Sequence, residues 1–302
     1  MTREAEFEIP GGSLYYERQE LPDGKGGICI TRMQGNAGEV DIPECIESCP
    51  VVSIARKAFL SRKNLRRLTI PASVTEVGDW AFAYCDSLHT VVFRAEEGPV
   101  FGKSVFMDCG SLRFLYVKKG DDTTAALLAA AVTTAGAPYL LNASEAGSEE
   151  WLGKWDARML TVLHGADNEG YSKQVLCGEE DYGSTDLAAY ESGRRKVKVR
   201  LLMLRLLYPK GLRDEHRREM EDYLRHLTKG CLHDETWQVV LAEHAEDAEY
   251  YHLFTQLGCV NEDNFEALLT DVGGDYPELK AYLMRYKEEK LGYTDFFAGL
   301  DL

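Results

Sequence analysis

The chain has 302 residues, of which 45% are hydrophobic and 28% charged, a balance typical of a globular protein with room for two domains. Its 50 acidic and 34 basic side chains give a formal charge of −16, which repels phosphates and argues against nucleic acid as a partner. The opening MTREAEFEIP lacks the apolar run of a secretory signal, and no stretch is long and apolar enough to span a membrane. We therefore expect a cytoplasmic protein without a membrane segment, or an extracellular or cell-surface protein if a leader was removed.

The stretch SLYYERQELPDGKGGICITRM predicts a β-hairpin near the beginning of the chain. Two β-prone runs, Leu14 to Arg18 and Ile28 to Met33, flank a Pro-Asp-Gly turn. We expect this hairpin to cover the open edge of the repeat array that follows it, because a terminal cap must shield that edge.

From about Gly38 to Val117 one pattern is written three times, with a period of 23 or 24 residues. Its landmarks are Phe59, Phe82 and Phe106; Leu65, Leu88 and Leu112; and Ile70, Phe93 and Val117. Three independent landmarks with one period indicate an array of stacked coils that share a continuous core.

The clearest copy of the pattern shows how one coil is built. Leu68 and Ile70 alternate with polar residues, as a strand with one buried face requires. Pro71 ends this strand because proline has no N–H to donate to a sheet. A turn at Gly78-Asp79 and a short helical turn complete the copy, and the phenylalanine in that turn predicts a buried column along the array.

This pattern resembles the BspA-type leucine-rich repeats of bacteria over residues 14–118. The resemblance rests on Ile70, Pro71, Val77, Gly78, Ala81, Phe82, Cys85, Ser87, Leu88, Phe106, Cys109, Ser111 and Leu112. It implies a short capped leucine-rich-repeat solenoid of about three coils, with an extended first coil and an irregular last one. Many relatives of this repeat are cell-surface proteins, so the missing signal departs from that pattern.

The period also predicts which side chains line the exposed, concave side of the strands. If Leu68 and Ile70 point inward, two columns point outward: Glu39, Arg67, Thr90 and Phe114, and then Asp41, Thr69, Val92 and Tyr116. An apolar and aromatic patch of this kind anchors protein partners. The predicted partner-binding residues are therefore Phe114, Tyr116, Val92, Arg67, Thr69 and Thr90. The alternative is that the second domain or a homodimer mate covers the patch.

The eight cysteines do not predict a disulfide framework. Cys85 and Cys109 hold the same repeat position, so we expect them to stack as small buried side chains. Cys45 and Cys49 are spaced as in some metal sites, but no second pair follows at a zinc-finger distance. We expect reduced structural thiols, no metal and no cofactor, and a metal site or a disulfide is the alternative.

The repeat pattern ends at Val117, and the sequence that follows has a different character. DDTTAALLAAAVTTAG predicts a helix that ends at Gly136 and seals the last coil, and the small polar stretch Asn142 to Glu150 predicts a linker. We therefore expect a capped repeat domain at 1–141, a linker at 142–150 and an acidic, mainly helical domain at 151–302. Residues 145–302 hold 32 acidic and 19 basic side chains, so most of the negative charge lies in this second domain.

The second domain is predicted to open with a hairpin, Arg158 to Leu163 and Gln174 to Cys177, with fraying pieces of helix as the alternative, and to continue with helices. The predicted helices are Asp186 to Tyr208, Arg213 to Lys229, Asp234 to Glu243, Ala245 to Leu257, Glu262 to Val272, Tyr276 to Lys290 and Thr294 to Leu300. Gly258 is placed as a helix C-cap and Asn261 as an N-cap. Helices of this length with short joints predict antiparallel pairs.

No motif in the chain predicts catalysis, since it has no nucleophile elbow, Walker loop or dinucleotide fingerprint. The basic run Arg194 to Arg200 is predicted to be a solvated face of a core helix rather than an anion site. The histidines from His216 to His252 match no zinc motif and are predicted at the surface. The alternative is an enzyme or small-molecule-binding protein with its site around the loop Cys177 to Asp186.

These observations together predict an α+β protein in which a capped leucine-rich-repeat solenoid precedes a helical domain. The expected function is noncatalytic recognition of a protein partner through the concave sheet, with no nucleic acid or membrane involved. A homo-oligomer and, if a leader is missing, a surface adhesin are the remaining alternatives.

Overall fold

The computed structural model describes residues 4–21, 24–95, 98–117, 120–142, 144–171 and 186–292. The chain divides into two compact units, Met1–Thr161 and Val162–Leu302. The described strands all lie in the first unit, and the second unit is helical. The predicted α+β architecture, a solenoid followed by a helical region, is confirmed.

The strands of the first unit form two sheets that run along opposite sides of the solenoid. They are β1 (Ala5–Ile9), β2 (Gly12–Glu20), β3 (Gly26–Gly35), β4 (Glu39–Asp41), β5 (Cys45–Ile46), β6 (Cys49–Ile54), β7 (Arg67–Ile70), β8 (Glu76–Val77), β9 (Thr90–Phe93), β10 (Val100–Phe101) and β11 (Phe114–Tyr116). The concave sheet has the order β11-β9-β7-β4, and all its neighbours are parallel. Each of its four strands begins one coil of the solenoid. The three copies of the sequence pattern are the segments that connect these four stacked strands.

The second sheet has the order β1-β2-β3-β6-β8-β10, with β5 paired to β6. The antiparallel pair β2–β3 is the predicted hairpin, and β3 continues the sheet by pairing with β6 of the first coil. The hairpin therefore covers the open edge of the first coil, as predicted. Strand β1 was not predicted; it pairs with β2 across a turn in which Gly11 has a φ of +80°, a conformation that favours glycine.

The third side of each coil is a backbone turn rather than a helix, and the same left-handed geometry recurs in every coil. The residues with positive φ at equivalent positions are Lys57, Trp80 and Ser104, and then Ser61, Tyr84 and Asp108. In this geometry the Phe59 N–H donates to the Ala81 carbonyl of the next coil at 2.7 Å, and the Phe82 N–H donates to the Val105 carbonyl at 3.0 Å. The turns thus hydrogen-bond coil to coil, which a helical turn would not do.

The predicted phenylalanine column is the centre of the first unit. Phe59, Phe82 and Phe106 are buried, with ring centroids 5.5 and 5.4 Å apart in successive coils. Such aromatic pairs contribute about 0.5–1.5 kcal/mol beyond the burial of their area. Because each coil supplies one ring, the core exists only when the coils are stacked.

The stacked cysteines add a hydrogen bond to the same core. The buried Cys85 thiol donates to the Phe59 carbonyl at 3.1 Å, and the buried Cys109 thiol donates to the Phe82 carbonyl at 3.1 Å. Burial raises the pKa of Cys85 to about 11 and that of Cys109 to about 12. Both thiols are therefore neutral hydrogen-bond donors at physiological pH. The sequence predicted only their apolar packing.

The last coil is sealed by a helix, as predicted. Helix α1 (Asp122–Thr133) begins after Asp121, whose side chain accepts a hydrogen bond from the Thr124 N–H at 2.8 Å, and its alanine-rich middle is buried as it packs along β11. Helix α2 (Glu149–His164) follows. The indole N–H of Trp155 donates to the Leu127 carbonyl of α1 at 3.0 Å.

The division between the units lies inside α2, later in the chain than the predicted linker 142–150. Trp151 and Trp155 explain this position, because both are buried and bonded to carbonyls of the first unit. The predicted domain limits 1–141 and 151–302 stay a prediction. The hairpin predicted from Arg158 is wrong, since Arg158 to Leu163 belong to α2; its second strand, Gln174 to Cys177, lies outside the described residues.

The helices of the second unit follow the predicted order. They are α3 (Leu187–Leu207), α4 (Asp214–His226), α5 (Glu235–His244), α6 (Ala248–Gln256), α7 (Phe265–Val272) and α8 (Pro277–Tyr286), with a π-helical turn at Lys287–Leu291. Helix α3 packs against α4, α5 and α6. Gly258 ends α6 with a φ of +75°, as predicted. Helix α7 begins after Asn264, and the Asn261 side chain accepts the Asn264 N–H at 3.0 Å, the bond expected of the predicted cap. The predicted helix Thr294 to Leu300 lies outside the described residues.

The phenylalanine column predicts a large effect of Phe82→Ala. The substitution opens a cavity between two neighbouring rings, and we expect a loss of about 3–5 kcal/mol in the free energy of unfolding. Urea titrations followed by hydrogen exchange of peptides from the coils measure this loss. Tyr84→Ala, in the same turn but with 43% of its surface exposed, is the control and is expected to cost about 1 kcal/mol or less. Equal losses for the two variants would contradict a core built on this column.

The raised thiol pKa values predict selective alkylation of the native protein. The thiolate is the reactive form, so neutral buried Cys85 and Cys109 are expected to resist iodoacetamide at pH 8 until the chain unfolds. Exposed Cys45 and Cys231 serve as internal controls and are expected to react first. Peptide mass spectrometry over time reads the order of labelling; labelling of Cys85 as fast as Cys45 in the native protein would rule out the neutral, buried donor.

Candidate protein-binding face

The sheet register places the predicted surface residues in the two expected columns. Along the concave sheet, Glu39 pairs with Arg67, Arg67 with Thr90 and Thr90 with Phe114. The second column runs through Asp41, Thr69, Val92 and Tyr116 in the same way. We call the outward side of these four strands the concave face. Whether these residues bind a partner stays a prediction.

Exposure differs along the first column. Glu39 and Arg67 are exposed, and Phe114 is half-buried, but Thr90 is only 8% exposed. The prediction that Thr90 is an exposed residue is therefore wrong. Its larger lateral neighbours, Arg67 and Phe114, flank it, and its hydroxyl lies 3.0 Å from His89 Nδ1.

The aromatic end of the face is an ordered cluster. The rings of Phe114 and Tyr116 stack with centroids 5.7 Å apart and an interplanar angle of 18°. His89 packs against Phe114 at 5.7 Å. The Tyr116 hydroxyl donates to Asp122 at the start of α1 at 3.0 Å, and burial together with this hydrogen bond raises the pKa of Tyr116. The cluster is thus held in place before any partner arrives.

Two charged residues of the face were not predicted as part of it. Arg94 follows β9, one column beyond Val92, and reaches back to form an ion pair with Asp41 at 3.0 Å. Asp122 fixes the Tyr116 hydroxyl. The period of the repeat could have identified Arg94, because extending the columns by two residues reaches it. Asp122 has no such signal, since it belongs to the helix after the array.

Exposed Cys45 and half-buried Cys49 do not form a metal site together. Cys49 pairs with Ile46 in the β5–β6 hairpin, while Cys45 pairs with Pro50. Cross-strand partners share one face of a hairpin and successive residues alternate, so Cys45 and Cys49 point to opposite faces. Within the part of the chain that the structure describes, no group of three His, Cys, Asp or Glu side chains could hold a metal ion.

The basic run of the helical unit does not form a solvated face, which corrects the prediction for Arg194 to Arg200. Arg195 and Lys198 are buried, and Arg195 pairs with Glu235 at 2.8 Å, while Lys198 pairs with Asp167 at 2.6 Å. Burial alone would lower the pKa of Arg195, but its hydrogen bonds and charge partners outweigh burial and raise it. The run therefore ties α3 to its neighbours instead of offering cations to a ligand.

The histidine prediction needs two corrections, and the first is His244, whose side chain is only 11% exposed and stacks on Tyr250 with ring centroids 3.5 Å apart. His226, His233 and His252 are exposed, as expected, but His216 is 8% exposed and lies 3.0 Å from the Arg213 guanidinium. The short polar turn before α4 folds the arginine over the imidazole.

A groove of about 330 Å³ lies among Glu246, Asp275 and Glu278.

The alternative catalytic loop cannot be placed with the other residues. Of Cys177 to Asp186, all but Asp186 lie outside the described residues, and Asp186 caps α3 by accepting the Ala188 N–H at 2.9 Å. None of the described helices is both long and apolar enough to cross a bilayer.

Comparison with known proteins supports the reading of the repeat. Residues 36–124 match a family described as BspA type leucine rich repeat region (6 copies). A search of the curated proteins found no match. Repeats of this family are interaction or adhesion-type modules, and they are typically non-enzymatic.

Solved structures with similar sequences are also bacterial leucine-rich-repeat proteins. A leucine rich repeat protein of T. pallidum is 31% identical over 32% of this chain and 55% of that protein, with a TM-score of 0.26, so this chain spans about half of its length. A leucine rich cell surface protein of Faecalibacterium prausnitzii A2-165 is 25% identical over 37% of this chain and 30% of that protein, with a TM-score of 0.30. A leucine-rich repeat protein of Bacteroides capillosus ATCC 29799 is 26% identical over 40% of this chain and 91% of that protein, with a TM-score of 0.31.

The period, the stacked coils and the family match agree with one another. The resemblance predicted from the sequence is confirmed. Residues 36–124 of this protein are similar to a BspA-type leucine-rich repeat region, and a helical region follows them.

Proposed function

We propose that this protein is a noncatalytic interaction protein that recognises another protein through the concave face of its repeat solenoid. The observation that carries this proposal is the stacked pair Phe114 and Tyr116, half-buried on the parallel sheet that also presents exposed Arg67 two strands away. Aromatic and arginine side chains supply most hot spots of protein interfaces. Their fixed geometry lowers the entropy lost on binding.

The family match supports the noncatalytic part of the proposal, because repeats of this kind are typically interaction modules. The described part of the concave face also presents few groups suited to acid–base chemistry. Asp41 is held by Arg94 at 3.0 Å, and the Tyr116 hydroxyl is held by Asp122 at 3.0 Å. These groups hold the face in shape and are not poised to exchange protons with a substrate.

The proposed compartment is the cytoplasm, with the cell surface as the alternative. The F. prausnitzii protein is itself named a cell surface protein, so we retain the cell surface as the alternative compartment. The face described above works by the same contacts in either compartment. Its partner is another protein, and burial of the face between two copies of this chain is the alternative.

Affinity capture tests the proposal with the double variant Phe114→Ala, Tyr116→Ala. Removing both rings deletes the aromatic anchor but no core contact between the coils, so the fold is expected to persist while partner capture falls at least about tenfold. Full-length bait proteins and a native lysate of the source organism are used, with mass spectrometry of the captured proteins.

The matched control is Tyr84→Ala, Met107→Ala, which removes two side chains of similar exposure, 43% and 44%, from the turn side of the solenoid. This control is expected to capture the same partner as the wild type. If the concave-face variant captures that partner equally well, the concave face is not the recognition surface.

A further inference from the structure

The amino ends of the concave strands form a basic margin. Arg66, His89 and Arg113 each precede the first residue of a strand, and they are joined coil to coil, since the His89 N–H donates to the Arg66 carbonyl at 2.9 Å and the Arg113 N–H donates to the His89 carbonyl at 3.0 Å. Arg67 lies beside them in the first exposed column. We define the basic margin as Arg66, Arg67, His89 and Arg113.

This margin has the opposite sign to the chain as a whole, whose formal charge is −16. The four concave strands carry two carboxylates, Glu39 and Asp41, at the edge strand β4. Asp41 is already paired with Arg94. With Asp122 at the aromatic end, the face holds three carboxylates against the four arginines Arg66, Arg67, Arg94 and Arg113 of the face and its margin.

Arg67 is the cation of the margin that lies on the concave face itself and is open to a ligand. Its side chain is exposed, and among the described residues it forms no ion pair, although Glu39 is its neighbour in the register. A guanidinium binds a carboxylate through two parallel N–H donors, a geometry that a partner's Asp or Glu side chain fits.

The aromatic pair lies at a fixed distance from this cation. Arg67 and Phe114 share a column but are separated by one intervening strand, β9. Adjacent strands are about 4.8 Å apart, so the two residues start about 10 Å apart across the sheet. An extended chain advances about 3.3 Å per residue, so about three residues of a ligand span this distance.

We propose that the concave face binds an extended acidic segment of a partner protein, with a carboxylate at Arg67 and an aromatic or apolar side chain against Phe114 and Tyr116. This inference rests on the proposed function and names the chemistry of its partner. The carboxylate and the apolar side chain lie two to four residues apart in the segment, because side-chain reach adds to the spacing of about three.

Nucleic acid is the other ligand that could use a cation beside stacked rings, and the charge of the molecule disfavours it. A nucleic acid gains most of its affinity from many phosphate contacts, and the face and its margin offer few cations for such contacts. A short protein segment places its carboxylate locally at Arg67. Oligonucleotide binding is therefore an outcome that the test must exclude.

A phage-displayed library of random 12-residue peptides, panned on the full-length chain, tests the proposal without a known partner. The wild type is expected to enrich peptides in which Asp or Glu lies two to four residues from Phe, Tyr, Trp or Leu. Binding of one enriched peptide, measured by fluorescence polarisation, is expected to weaken about tenfold in Arg67→Glu, equivalent to about 1.4 kcal/mol. Lys103→Glu, an equal charge change at an exposed residue on the turn side, is the matched control and is expected to stay within about twofold.

The variants separate failure of this inference from failure of the proposed function. If the enriched peptides lack a carboxylate, and their binding is lost in the double variant Phe114→Ala, Tyr116→Ala but kept in Arg67→Glu, the concave face is still a binding site. The proposal of an acidic segment is then overturned. Peptides that bind this double variant as well as the wild type, or no enrichment on the wild type, would contradict both. Tighter binding of a fluorescent oligo-dT than of the enriched peptide would overturn the acidic segment in favour of nucleic acid.

Discussion

The stacking of one coil on the next is the interaction on which the first unit depends. A single coil has too little apolar surface to form a core, so the ring of Phe82 is buried by Phe59 on one side and Phe106 on the other. Backbone hydrogen bonds join the coils on both sheets and along the turns between them. The hairpin β2–β3 and helix α1 complete the stack, because each end would otherwise expose unpaired backbone and apolar side chains.

This constraint also determines the concave face. Parallel strands in register place equivalent residues side by side, so the repeat period decides which side chains become neighbours. The core requires Leu68 and Ile70 to point inward, and the residues between them are then free to vary. The chain uses this freedom to place Arg67 and the pair Phe114 and Tyr116 on one rigid surface. Recognition by such a surface needs little rearrangement, because its side chains are ordered by the scaffold.

The parts that the sequence predicted well are those that follow from periodicity. The columns of the face, the phenylalanine core and the helices of the second unit were all read from spacings of apolar residues and caps. The turn side was misread as helical, because the left-handed conformation of Trp80 or Tyr84 has no glycine to signal it. Side-chain partners distant in sequence were also missed: Arg195 and Lys198 looked solvated because their partners, Glu235 and Asp167, lie on other segments.

The site itself was partly predictable. The period identified Phe114 and Tyr116 as neighbours, but it could not show that Thr90 is buried between larger side chains. Exposure depends on the volume of lateral neighbours, and pattern alone does not give volume. The bond from Tyr116 to Asp122 joins the array to the helix after it, where the repeat offers no alignment.

The central claim is that the concave face is open to a partner rather than covered by the rest of the chain or by a second copy. Hydroxyl-radical footprinting of the full-length protein, read by mass spectrometry at several protein concentrations, measures this directly. The account predicts oxidation of Phe114 and Tyr116 at rates comparable to exposed Tyr84 at every concentration, with protection on addition of a binding segment. Protection of both rings in the protein alone would contradict it. Protection at all concentrations would mean that the face is buried within the chain, and protection only at high concentration would mean that it is buried between copies.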